Sequence, residues 1–154
     1  MNEVTFMKEN ITNHSSSKKE ERIGLMLWFR IARIYNQSIR ESNQHLKKWN
    51  LSTAQFDVLV QVGSHDRLSQ QELANKLLVT KGNITQLLSK MEALGLIKRE
   101  QEWKTKYLSL TKAGKEFFYE VVPKQEHFQA SQFSNLNYKE KKQLLNLLRK
   151  IQKP

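Results

Sequence analysis

The stretch from Leu68 to Gly114 limits what this chain can fold into more than any other: LSQQELANKLLVTKGNITQLLSKMEALGLIKREQEWKTKYLSLTKAG. Ser69 to Glu72 is S-x-x-E, a capping box in which hydroxyl and carboxylate satisfy the free N–H groups of a helix start. A helix is expected from about Gln70 to Leu77, with Leu73, Ala74, Leu77 and Leu78 inward. Val79 closes it, and Thr80 is placed to cap the next, its hydroxyl accepting a backbone N–H. From Lys81 to Leu94, Ile84, Leu87, Leu88, Met91 and Leu94 recur at the spacing of one buried helical face. Gly95 stands just past the end, where a left-handed residue is wanted.

Leu96-Ile97 runs on into KREQEWKTKYLSL, which reads as a two-stranded ribbon turning over Gln101 to Thr105. Ile97, Leu108 and Leu110 fall on its inner face, and Lys98, Arg99, Lys104 and Lys106 make it basic. Leu68 is placed to add a third, short strand. Two short helices across a tight break, followed by a basic ribbon, make a winged helix-turn-helix. The fold class is therefore mainly α with a small β-wing (α+β).

The outer face of the second helix carries Thr80, Lys81, Asn83, Thr85, Gln86, Ser89 and Lys90. Amide and hydroxyl groups read base edges in the major groove, and lysines meet phosphates. Such a face alone is more often a solvated surface; its neighbours on both sides shift the balance to DNA. The wing cations Lys98, Arg99, Lys104 and Lys106 are expected on the backbone or the adjacent minor groove. Trp103 at the tip has three destinations open to it: a partner, a DNA sugar, or the ribbon itself.

Charge supports a polyanionic partner. The 154 residues carry a formal net charge of +11. An anionic membrane surface would also accept that charge, but no apolar run approaches the roughly 18 residues of a membrane span. No signal-peptide pattern opens the sequence, so a cytoplasmic protein is expected. The chain has no cysteine, which excludes disulfides and thiol switches. His14, His45, His65 and His127 form no H-x3-H or HExxH pair, and no metal site is expected. No phosphate loop, nucleophile–base set or carboxylate pair stands out, so neither a cofactor nor an enzyme is expected.

The flanks read as follows. Residues 1–19 are polar and aperiodic, and a frayed tail is expected. Over 20–50 the pattern is helical, with Ile23, Leu27, Ile31, Ile34, Tyr35, Ser38, Ser42 and Leu46 on one stripe, widened by Trp28, Phe29 and Ile39. That is more apolar surface than a small domain covers, which points to a second subunit. Ser52 to Gln55 is a second capping box, opening a helix to about Val62 with Phe56, Leu59 and Val60 buried. Residues 51–114 form the winged domain. Thr111 can cap a helix starting at Lys112, with Phe117, Phe118, Val121 and Val122, that Pro123 should kink or break; residues 115–154 are expected to supply the C-terminal dimerisation helices. Asn137 to Glu140 then opens a last helix with Leu144, Leu145, Leu147, Leu148 and Ile151. Surplus apolar helices at both ends argue for a homodimer.

From about Glu20 to Ile151 the chain resembles the MarR family of bacterial transcription regulators. The resemblance rests on LSTAQFDVL at 51–59, LSQQELANKLLVTKGNITQLLSKMEALGLIKR at 68–99, LSLTKAG at 108–114, the proline-interrupted helix and the LxxxE…LLxLL ending from Leu136. It implies an obligate dimer whose first and last helices interleave, with helix 81–94 in the major groove of a pseudo-palindromic operator. It also implies a repressor released by a small aromatic, phenolic or quinone-type ligand. The implied cavity between dimer base and DNA-binding part would be lined here by Trp28, Tyr35, Phe56, His65 and Phe117, which are otherwise core residues. The family's wing carries Asp-Arg-Arg before its second strand, where this chain has Glu102, Trp103 and Lys104, and the minor-groove arginine falls to Lys104 or Lys106. A ligand-independent architectural DNA-binding protein is the alternative, and a winged domain serving RNA or protein is a third.

Overall fold

A computed structural model describes residues 3–77 and 81–152, with side chains over 17–77 and 82–152. The chain divides into two compact units, Met1–Arg40 and Glu41–Pro154. The first is the greater part of α1 (Glu3–Leu46). This helix begins at Glu3, where the sequence suggested a frayed tail to residue 19. No proline or glycine precedes Gly24, so nothing in the backbone stops the helix from extending toward the N-terminus. On the stripe expected to be apolar, Ile23, Leu27, Trp28, Phe29, Ile34 and Tyr35 are exposed on this single chain, Trp28 at 67%.

In the second unit the end of α1 passes through a 3-10 turn, Lys47–Trp49, and reverses at Asn50, whose φ of 57° an asparagine tolerates. Leu46 and Ser42 are buried there. His45 Nδ1 lies 2.7 Å from Gln125 Oε1, and Lys48 Nζ lies 2.9 Å from His45 Nε2. An amide oxygen only accepts and an ammonium only donates, so these contacts suit the His45 tautomer that carries its proton on Nδ1.

The helix α2 (Thr53–Gly63) opens on the expected capping box: Ser52 accepts from the Gln55 N–H, and the Ser52 N–H donates to Gln55 Oε1. Phe56 and Leu59 are buried as expected; Val58 and Val62 join them, while Val60 is only partly covered. The strand β1 (Leu68–Ser69) leads into α3 (Gln70–Leu77) through the second box, Ser69 N–H to Glu72 Oε2 at 2.8 Å and Glu72 N–H to Ser69 Oγ at 3.1 Å. Leu73 and Ala74 are buried. Leu78, Val79 and the cap assigned to Thr80 lie outside the described residues.

The helix α4 (Lys81–Ala93) buries Ile84, Leu88 and Met91 completely and Leu87 in part. Leu94, expected on that face, is exposed. The helix has already ended: Gly95 N–H reaches Glu92 O at 2.8 Å and Leu96 N–H reaches Met91 O at 3.1 Å. That pair of bonds is a Schellman end, with Gly95 at φ 71° as its left-handed residue. It turns Leu94 out and Leu96 in.

The strands β2 (Ile97–Glu102) and β3 (Thr105–Leu110) complete an antiparallel sheet of order β1-β3-β2. Leu68 pairs with Leu108, and Ile97 with Leu110, so the apolar residues face the helices. The turn is tighter than the expected span: Glu102 pairs with Thr105, leaving Trp103 and Lys104 as the loop.

Thr111 caps α5 (Lys112–Ser131) by accepting from the Gly114 N–H. The helix continues through Pro123, where the sequence suggested a kink or a break. Pro123 lies on the exposed side, so water can take the place of the hydrogen bond it cannot make. Val121, Val122 and Gln125 are buried on the other side. The last helix, α6 (Tyr138–Ile151), opens on a third capping box, Asn137 with Glu140. Its seam of Leu145, Leu147, Leu148 and Ile151 is exposed on this chain.

Candidate nucleic-acid interface

The buried face of α4 decides what its outer face presents. With Ile84, Leu88 and Met91 fixed in the core, Asn83, Thr85, Gln86, Ser89 and Lys90 are all exposed. Thr80 and the Lys81 side chain lie outside the described residues. The Ser89 hydroxyl is partly committed: it donates to Thr85 O at 3.0 Å, and Arg99 Nη2 lies 3.4 Å from it. Gln86 and Lys90 are the extended groups of this face.

The four wing cations separate into two pairs. Lys98 is bonded to Glu100 at 2.7 Å, and that ammonium holds the Glu100 carboxyl below its ordinary range. Arg99 is bonded to Glu92 on α4, with both side chains largely covered. It therefore ties the wing to the helix. Lys104 and Lys106 are exposed, and neither forms an ion pair among the described residues. Together with Thr85 of α4 they border a groove of about 350 Å3.

That groove is completed by Gln70 and Gln71, which sequence reasoning passes over. Gln70 Nε2 donates to Thr85 Oγ1 at 3.2 Å, joining the start of α3 to α4. Their signal was positional: they are the first two residues after the capping Ser69, where a helix offers its free N–H groups. Arg67 was also passed over. It pairs with Glu102, and its guanidinium sits 3.7 Å from the Tyr107 ring centroid, so it braces the outer half of the wing.

Trp103 occupies the wing tip and is 96% exposed. Its φ is 56°, at the first position of a two-residue hairpin loop, where glycine is favoured. A non-glycine residue held there costs about 1 kcal/mol or more. Folding back on the ribbon, one of the three destinations open to it, is not what the ring does here.

The five residues suggested as a ligand cavity are not gathered by the second unit. Phe56 is in the core, Phe117 packs against it, and His65 lines a cavity of about 370 Å3 with Asp66, Lys98, Lys115, Phe118 and Tyr119. Trp28 and Tyr35 lie on α1 before Glu41, both exposed. Among the described residues no group of three or more His, Asp or Glu side chains could hold a metal ion.

A recognition-type helix with a tied hairpin beside it defines a winged helix-turn-helix protein. The MarR family's sequence pattern matches residues 49–102. An HTH-type transcriptional regulator of Bacillus cereus is 43% identical over 136 residues, covering 88% of this chain and 92% of the relative. YkoM of Bacillus subtilis, also an HTH-type transcriptional regulator, is 32% identical over 120 residues, covering 76% of this chain and 75% of the relative. The chain belongs to the MarR family of DNA-binding transcription regulators. Among solved structures, BldR of Sulfolobus solfataricus superposes with a TM-score of 0.70 at 32% identity, over 82% of this chain and 92% of that one. The MepR–DNA complex of S. aureus gives 0.74 at 22% identity, over 80% and 93%, and shares the fold.

Proposed function

We propose that this chain acts as a homodimeric repressor that reads a pseudo-palindromic operator with α4 and is released by a small aromatic, phenolic or quinone-type ligand. The observation that carries the DNA-reading part is the division of α4. Ile84, Leu88 and Met91 on its apolar face are fully buried, and its exposed face holds amides, hydroxyls and a lysine. Such a face suits base edges and phosphates. MepR and MarR have been solved in complex with DNA, MarR with operator DNA, which supports the same use here.

The dimer is supported by the exposed apolar residues of α1 and α6 and by a groove of about 330 Å3 between the end of α5 and α6, bordered by Phe133, Leu136, Leu144, Leu145 and Leu148. Apolar surface of that extent is characteristic of an interface. No described helix is long and apolar enough to cross a membrane, in keeping with a cytoplasmic site of action. For the ligand, the cavity beside His65 offers the Lys115 ammonium to an anion and Phe118 and Tyr119 to a ring.

The second reading is a ligand-independent, architectural DNA-binding protein. It is favoured by the separate places that Phe56, in the core, and His65, on a solvent-open cavity, take in the second unit. A thermal-shift screen with salicylate-like and quinone-like compounds separates the two. Stabilisation by one of them, together with its release of bound duplex, supports gating. No shift, with loose sequence preference, supports the architectural role.

A further inference from the structure

We propose that Trp103 is a DNA-contacting residue, its indole packing against the deoxyribose wall of the minor groove beside the segment read by α4. The proposal rests on the reading of α4 given above and adds a contact that no cation supplies. Three features of the tip carry it. The ring is 96% exposed and sits at φ 56°, where glycine would be easier, so neither packing nor backbone preference explains a tryptophan there. The turn beneath it is held: Gln101 Nε2 donates to Trp103 O at 3.1 Å, and Arg67, seated over the Tyr107 ring, pairs with Glu102. The carboxylate next to the tip is thereby neutralised, leaving Lys104 and Lys106 as the local field. Those two lysines border the same groove as Thr85 of α4, so the tip's cations and the exposed helix face address one side of the domain.

On that side the ring meets sugar C–H groups. Apolar side chains do enter the minor groove, and aromatic contact with nucleotides is tolerant of sequence. Such a contact releases no counterions, so it strengthens binding without changing the dependence on salt.

The test measures duplex affinity across a salt series for the full-length protein and for Trp103→Gly, Trp103→Phe and Lys104→Ala, on a site selected from a randomised pool. Trp103→Gly should weaken binding about tenfold with an unchanged slope of log K against log salt, and its thermal midpoint should hold or rise. Trp103→Phe should recover most of the affinity. Lys104→Ala should lower the slope by about 1. Wild-type-like affinity in Trp103→Gly, with Lys104→Ala behaving as expected, overturns the proposal and leaves the reading of α4 standing. Failure of the wild-type protein to select any duplex overturns both.

Discussion

Gly114 has no room for a side chain. A Cβ built on it would lie 1.9 Å from the Leu96 carbonyl oxygen, at the point where the start of α5 presses on the α4–β2 joint. Thr111 locks the same joint, its N–H to Leu96 O at 3.1 Å and its hydroxyl to Gly95 O at 2.6 Å. Gly114→Ala is expected to cost about 2–3 kcal/mol, read as a lower denaturant midpoint. Glu72 gives a second test at this scale. The Ser69 N–H and then its hydroxyl stabilise the carboxylate, so its pKa lies below the ordinary 4.5. Its contribution to stability is complete above the unfolded value and is lost as pH falls through the folded one. Glu72→Gln keeps an acceptor and removes the titration, so thermal midpoint against pH should flatten below about pH 4.5. Both capping boxes of the winged domain were legible because each is a four-residue pattern with one physical purpose. The clash at Gly114 was not, because it depends on where Leu96 lies in space.

At the scale of elements, α4 shows why periodicity succeeds and where it stops. Spacing alone separated its buried from its exposed side, since one helix face must meet the core. Leu94 fell outside because the Schellman end leaves the helix one residue sooner than the repeat suggests. Pro123 shows a related limit: whether a proline ends a helix depends on whether the lost bond faces solvent. Arg99 counted as a wing cation, yet it is spent on Glu92 across the α4–β2 turn, a pairing that composition does not reveal. Arg99→Ala should therefore lower stability by about 0.5–1 kcal/mol. Its effect on the salt dependence of DNA binding should be smaller than that of Lys104→Ala. Equal losses of slope would show that Arg99 leaves Glu92 to meet phosphate.

At the scale of the molecule, the proposed two-fold pairing has to cover helices that one chain leaves bare. Leu148 borders the α5–α6 groove and is 42% exposed. Leu148→Asp should make sedimentation report monomer at micromolar concentration and should abolish cooperative operator binding. A dimer that persists unchanged would place the interface elsewhere. The excess of apolar residues at both chain ends was visible in the sequence, because surplus hydrophobic surface needs only counting. A ligand cavity is harder to read from sequence, because aromatic residues far apart along the chain share a wall only where the fold brings them together.

The central claim is that the exposed side of α4 reads bases, and the base preference of Gln86→Ala tests it most directly. Binding to a randomised duplex pool, sequenced after selection, gives the preference at every position for wild-type and variant. The wild-type profile should be two-fold symmetric with half-sites about one helical turn apart. The variant should lose preference at one position in each half-site and keep the others. A variant profile that matches the wild type at every position would contradict the assignment of α4 as the reading helix.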